Sequence, residues 1–326
     1  MMKLDDLKKI ASRLPNPSRA ESQTELHRIL REMGLDPDHL YQELEMSSRY
    51  ADTHQDTSYG HSIVQLHSHA FYEIIFCRNS CGAEYLVGAE RFRLQKGDMI
   101  LVPPGISHCP LLPEQMTVPY IRDVVWVSTE LIELLRRWFS VEKIHRLNNG
   151  HLLRTAGTKW EYLGDLIHGG VREAELREPG WEVAVVGNTM TLMAHLKRAF
   201  EDAGTIPMQA EKPELLDRVL AYIEEHLGEK ITPEETARHL YVSESTVRQV
   251  FRQKMGVSFH RCVTQRRLIA AKTLILDGVP LENVGERVGF ADYSSFYRAF
   301  RQEYGISPRQ YRKRQTAEEP GSSSER

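Results

Sequence analysis

The chain has 326 residues, 27% of them charged, with a net charge of −3 and four cysteines. That length allows two domains with separate cores, and no stretch reaches the roughly 18 consecutive apolar residues that span a bilayer. The start, MMKLDDLKKIASRL, lacks the apolar core and cleavage site of a signal peptide, so a cytoplasmic protein without a membrane partner is expected.

Cys77, Cys81, Cys109 and Cys262 match neither a disulfide framework nor a paired CxxC zinc site, and read as reduced thiols. Residues 1–55 read as a helical N-terminal extension. Leu4, Leu7, Ile10 and Leu14 recur at helical spacing, and the run TELHRILREMG ends at Gly34. From about Ile63 to Ser128 the texture changes to short β-rich runs, EIIFC, AEYLV, ERFRL, DMILV and YIRDVVWVS, with turns at Gly88-Ala89 and Lys96-Gly97-Asp98. Such runs at close spacing predict a small antiparallel barrel or sandwich.

Helical periodicity returns in TELIELLRRWF and in WEVAVVGNTMTLMAHLKRAFEDAG. In the second run Val183, Val186, Met190, Met193, Leu196 and Phe200 form a stripe suited either to packing within its own domain or to a homodimer interface. Residues 203–213, AGTIPMQAEKP, read as a linker. The tail, 316–326, is too polar to fold and is expected to be disordered.

Residues 1–210 carry 23 Lys and Arg against 28 Asp and Glu, whereas residues 211–314 carry 18 against 14. Between Ser243 and Lys272 stand Arg248, Arg252, Lys254, Arg261, Arg266, Arg267 and Lys272 against one acid, Glu244, as expected of a surface that approaches phosphates. This segment also belongs to an internal repeat. At an offset of 49 residues, VFRQKMGVS from Val250 aligns with AFRQEYGIS from Ala299, identical at five of nine positions. One supersecondary unit therefore occurs twice.

Each copy is punctuated as helix, turn, helix. Thr232-Pro233-Glu234-Glu235 opens a helix to Leu240, and Ser243 caps a second helix through Phe251. Pro280 opens a helix through Val288, Gly289-Phe290 turns the chain, and Asp292 caps a helix through Phe300. In such units the start of the second helix meets base edges in the major groove. The candidate DNA-contacting residues are thus Ser243, Ser245, Arg248, Gln249 and Arg252 in the first copy, and Tyr293, Ser294, Ser295 and Arg298 in the second. Val247, Val250, Phe251, Phe296 and Phe300 face inward.

With ETARHLYVSESTVRQVFRQKMGVSF, RRLIAAKTLI and LENVGERVGFADYSSFYRAFRQEYGISPRQYRKR, residues 214–315 resemble the DNA-binding domain of the AraC/XylS family. The resemblance implies an all-α domain of two tandem helix-turn-helix units joined by a long helix, here about Phe259 to Leu276. The partners it implies are double-stranded DNA, a small-molecule effector, a second copy of the chain and, for an activator, RNA polymerase. Gly285 stands where the family pattern usually has alanine, which is expected to loosen its helix by about 1 kcal/mol.

Residues 56–202 resemble a cupin, an all-β barrel with flanking helices that serves as the sensing domain in many such regulators. The carriers are His67-Ser-His69-Ala-Phe-Tyr-Glu73 and Gly97-Asp98 through Pro103-Pro104-Gly105-Ile-Ser-His108. In metal-binding cupins the matching residues, here His67, His69, Glu73 and His108, converge on one transition ion. The same four, with Trp126, are equally candidate polar contacts for an effector, and a purely structural role stays open. No catalytic residue is assigned. A ligand-responsive regulator is expected rather than an enzyme, the alternative being a metal-dependent cupin enzyme fused to a DNA-binding domain.

Overall fold

A computed structural model of the chain describes residues 2–3, 28–32, 44–58, 66–113, 115–139, 151–203 and 213–317. It divides into two units, Met1–Lys212 and Pro213–Arg326.

The first unit is built on strands β1 (Met2–Lys3), β2 (Leu44–Glu45), β3 (Ala51–Ser58), β4 (Tyr72–Cys77), β5 (Glu84–Val87), β6 (Glu90–Arg93), β7 (Asp98–Val102), β8 (His108–Leu111), β9 (Tyr120–Val127) and β10 (Leu152–Arg154). Three helices accompany them: α1 (Thr129–Phe139), α2 (Leu163–Leu176) and α3 (Trp181–Ala203). A five-stranded antiparallel sheet runs β10-β7-β4-β9-β3, and a three-stranded sheet runs β6-β5-β8.

Alternation along the strands divides the large sheet into two faces. Tyr72, Ile74, Met99, Leu101, Val125 and Val127 point one way and pack with α1, α2 and α3. Ile75, Cys77, Ile100, Val102 and Tyr120 point the other way and pack with Tyr85, Val87 and Phe92 of the small sheet. Strands β4 and β7 are covered on both sides, which is why EIIF and DMILV read as continuous apolar runs.

Two expectations need correction. Among the described residues the strands form three sheets, the parallel β1-β2 pair beside the five- and three-stranded ones, rather than a closed barrel; the outer edge of β8 takes only an isolated bridge between His67 and His108. The extension read as helical over 1–55 ends in strand. Residues 28–32 are helical, but 51–55 belong to β3, paired from Ala51↔Val127 to Ser58↔Tyr120. The polar string ADTHQDTS hides this strand because its burial rests on hydrogen bonds: Asp52 accepts from Ser47 N at 2.6 Å, and Thr53 Oγ1 donates to Val124 O at 3.0 Å.

The α3 stripe is largely the expected one: Met193, Leu196 and Phe200 are buried, Val186 and Met190 pack against the same core, and Val185, Thr189 and Leu192 widen the row, while Val183, 76% exposed, falls outside it. This row packs into the core of its own unit, so the dimer reading loses that face. Strand β8, HCPL, escaped notice because Pro110 breaks the strand signal; proline is tolerated there at the edge of the small sheet. The helical spacing of Leu4 to Leu14, the linker over 204–212 and the tail from 318 lie outside the described residues. Thr316 and Ala317 close the last helix.

The second unit is all helical: α4 (Leu215–Glu225), α5 (Pro233–Leu240), α6 (Glu244–Val250), α7 (Phe259–Leu276), α8 (Leu281–Arg287), α9 (Tyr293–Tyr304) and α10 (Pro308–Ala317). A wider π-type turn, Phe251–Met255, extends α6. The α5/α6 and α8/α9 pairs follow one plan, with α7 between them. Thr232 caps α5 through Glu235 N, Ser243 caps α6 through Thr246 N, and Asp292 caps α9 through Ser295 N at 2.6 Å. Each repeat ends in a left-handed glycine, Gly256 at φ 66° and Gly305 at φ 68°. The serine two residues on then starts the next helix, with Ser258 Oγ accepting from Arg261 N and Ser307 Oγ from Gln310 N. Of the five identical residues of the repeat, the glycine and the serine thus end one helix and begin the next, and the phenylalanine, Phe251 or Phe300, is buried in the core.

Candidate nucleic-acid interface and candidate metal centre

In α6 the buried side is carried by Val247, with Phe251 continuing it into the π-type turn, and in α9 by Phe296 and Phe300; all four are inaccessible to solvent. The opposite side is open. Ser243, Ser245, Arg248, Gln249 and Arg252 are exposed on the first helix and its extension, and Tyr293, Ser294 and Arg298 on the second, with Ser295 intermediate. Val250 is intermediate rather than buried.

The basic cluster divides by direction. Arg248, Arg252 and Lys254 face solvent, but the α7 cations turn into the domain. Arg266 is 2% exposed and pairs with Glu224 of α4. Arg267 Nε donates to Leu227 O at 3.1 Å and its Nη2 donates to Glu229 O. Arg261 donates to both carboxylate oxygens of Glu303, at 2.5 and 3.0 Å. Lys272 sits over the rings of Tyr304 and Tyr311, and burial pushes its ammonium down to about 8. Four of the seven cations are thus engaged inside the fold, so their count overstated the phosphate-facing charge. Sequence reasoning also passed over Glu244. Its Oε1 accepts from Arg248 Nε at 2.8 Å and Nη2 at 2.6 Å, a pairing that its i,i+4 position made legible.

In the first unit, β4 places Glu73 on the inner face of the large sheet, opposite Trp126 of β9. Trp126 Nε1 donates to Glu73 Oε1 at 2.8 Å. The other oxygen, Oε2, lies 3.1 Å from His108 Nε2 and 3.6 Å from His69 Nε2. Backbone carbonyls fix both rings: His69 Nδ1 lies 2.8 Å from Phe71 O and His108 Nδ1 lies 2.9 Å from Ile106 O. A carbonyl only accepts, so each Nδ1 carries a hydrogen and turns Nε2 towards Glu73, as an acceptor where the ring is neutral and as a donor where it holds a second proton. The three facing atoms are buried without a hydrogen-bond partner. Burial pushes His69 down, towards the neutral form. It would push Glu73 up, but His108 and His69 outweigh it and hold that carboxyl well below the usual carboxylate range.

Three acceptors facing one another call for a proton or a cation. The ligand atoms of His69, Glu73 and His108 lie within 4.8 Å of one another, a compact donor set. His67 does not join it. Its backbone bridges His108 and its ring lies 4.2 Å from that of His108, outside the three-residue group. A second buried polar cluster, which no motif announced, lines the same sheet face. Arg122 Nη2 binds Asp56 Oδ2 at 2.9 Å, and His54 packs edge-on against Trp126 with ring centroids 5.0 Å apart. On the opposite face, a shallow recess between the sheet and α2 and α3, with room for little more than one water molecule, is lined by Thr53, Ile167, Gly170, Asn188 and Leu192 among others.

Comparisons with known proteins bear on the second unit. Residues 236–314 match the family described as a helix-turn-helix domain. The probable transcriptional regulator LumQ of Photobacterium leiognathi is 39% identical over 104 residues, 31% of this chain and 42% of LumQ. The transcriptional activator RhaS of Escherichia fergusonii is 22% identical over 254 residues, 76% of this chain and 86% of RhaS. A DNA-binding transcriptional dual regulator of Escherichia coli K-12 has 26% identity and a TM-score of 0.31, covering 34% of this chain and 99% of that structure. The chain spans less than half the length of LumQ and of the regulatory protein PocR of Salmonella typhimurium. Among the described residues no helix is long and apolar enough to cross a membrane. Residues 236–314 are thus a helix-turn-helix domain, and it is through this part that the chain is similar to these regulators of transcription.

Proposed function

We propose that the chain is a ligand-responsive, sequence-specific regulator of transcription whose two helix pairs act as two helix-turn-helix units reading one DNA site. The observation that carries this reading is the paired arrangement of α6 and α9, each with a buried aromatic side and a polar, arginine-bearing open side that starts at a capped N-terminus. Duplex DNA is the partner. Contacts with RNA polymerase, a second copy of the chain and an effector belong to the same reading, and an effector acts only through different affinities for two states. The test is binding-site selection with the full chain. Arg248→Ala and Arg298→Ala should relax preference in two different segments about 10 base pairs apart, each at a cost of about 1 to 3 kcal/mol. Unchanged preference in both variants sinks the assignment.

The buried histidines support a further element of the sensing unit, a transition-metal centre in a cupin-like fold. His69 Nε2, His108 Nε2 and a Glu73 oxygen fit a divalent ion of the Fe, Mn, Ni or Zn type, and the carbonyls behind both rings supply the outer support that metal-bound histidines need. An ion there would neutralise Glu73 and offer a Lewis-acidic position to an effector's oxygen or nitrogen. Trp126 holds the carboxylate by its other oxygen. Metal analysis and thermal melts decide this reading. The full chain should carry one ion and melt higher with it, and His108→Ala should lose both properties. Metal-free protein whose melting temperature ignores added ions ends the proposal.

A further inference from the structure

Glu244 is the one acid within the basic run from Ser243 to Lys272, and it stands at the first position of α6, on the side that faces solvent. Negative charge on a surface that approaches phosphates costs affinity for every DNA sequence. Helix stability gives little in return, since an exposed pair at i,i+4 contributes only about 0.3 to 0.5 kcal/mol. The geometry of the pair supplies another reason. Glu244 Oε1 takes Nε and Nη2 of Arg248, so the carboxylate occupies the side edge of the guanidinium. The end edge, formed by Nη1 and the second Nη2 hydrogen, stays free, and Arg248 remains 62% exposed.

A guanine presents O6 and N7 to the major groove, and an arginine end edge matches them with two parallel hydrogen bonds. A long side chain loses rotamer freedom when it makes such a pair, and a partner that already holds its plane reduces that loss. We infer that Glu244 is a positioning residue which holds Arg248 for guanine, giving up general affinity for discrimination at one base pair. The second helix pair lacks this device. The repeat puts Tyr293 at the place of Glu244, and Arg298 makes only a long contact, 3.4 Å, with Ser295 Oγ. Discrimination by α9 should therefore be the looser of the two.

This inference rests on α6 reading bases, and the experiment separates the two claims. Binding-site selection and salt titrations are run on the full chain with Glu244→Ala, Glu244→Gln and Arg248→Ala. Both positions, 244 and 248, are exposed, and a melt checks that each variant folds. Glu244→Ala should bind random-sequence duplex a few-fold more tightly while guanine preference at the Arg248 position falls about tenfold. Glu244→Gln, which keeps one oxygen acceptor without the charge, should fall between, and preference in the α9 segment should stay as it was. Guanine preference retained in Glu244→Ala, with affinity raised evenly on all sequences, overturns the inference while leaving α6 as a reader. Preference unchanged in Arg248→Ala overturns both.

Discussion

Lys254 and Glu303 hold the same place in the two repeats but have opposite surroundings. Lys254 is exposed, its Nζ 3.9 Å from Glu214. Glu303 is 3% exposed and takes both guanidinium nitrogens of Arg261 as well as Gln265 Nε2. On the side of the first helix pair α7 is instead fastened to α4, which precedes that pair, by Arg266 on Glu224 and by Arg267 on the carbonyls that follow α4. The repeat thus conserves what folds each pair, and its differences mark how each pair is fastened to the helix between them. A duplicated unit placed on both sides of one helix cannot use the same fastening twice.

Three substitutions sharpen that comparison. The largest effect should come from Arg266→Ala, which removes a fully buried cation and its packing against α4. It should lower stability by about 3 kcal/mol in a denaturant melt, where a surface phosphate contact would leave the melt unchanged. Glu303→Ala should cost about 2 kcal/mol, because Arg261 can recover part of its hydration, whereas Lys254→Ala at the matching place should stay within about 0.5 kcal/mol. Equal effects at the two positions would erase the distinction.

An effect between those of Glu303→Ala and Lys254→Ala concerns the packing inside each pair. A Cβ on Gly285 would come 2.8 Å from Phe296 Cβ, so the glycine, whatever it costs α8 in helix propensity, permits the close approach of α8 to α9. The repeat has Thr236 and Val247 at these places, a larger residue matched with a smaller one. Gly285→Ala should therefore destabilise the domain by about 1 kcal/mol despite its better helix propensity. A rise in melting temperature would show that α8 has room to move.

These residues also show what a sequence discloses. Thr232, Ser243 and Asp292 announced their helices because a cap acts within three residues of itself. Strands β4 and β7 were plain because burial on both faces leaves an apolar run. Strand β3 was hidden, since its stability comes from partners on β9, about 70 residues away. For the same reason Arg261, Arg266 and Arg267 looked like surface charge: their partners Glu303, Glu224 and Leu227 lie about 40 residues distant. His67 and His69 share a motif, but the bridge to His108 sends only His69 into the cluster with Glu73.

Trp126 gives the histidine cluster an optical signal of its own. Its indole is 4% exposed and its N–H is committed to Glu73, while Trp138 is 62% exposed. Emission from Trp126 belongs at the blue end of the tryptophan range, beyond the reach of iodide, whereas iodide quenches Trp138 most and the partly exposed Trp160 and Trp181 in part. A change of charge at Glu73 lies one hydrogen bond from the excited ring and shifts its colour, and a paramagnetic ion between His69 and His108 quenches it. The sensing unit can thus be followed by its own light, without a label.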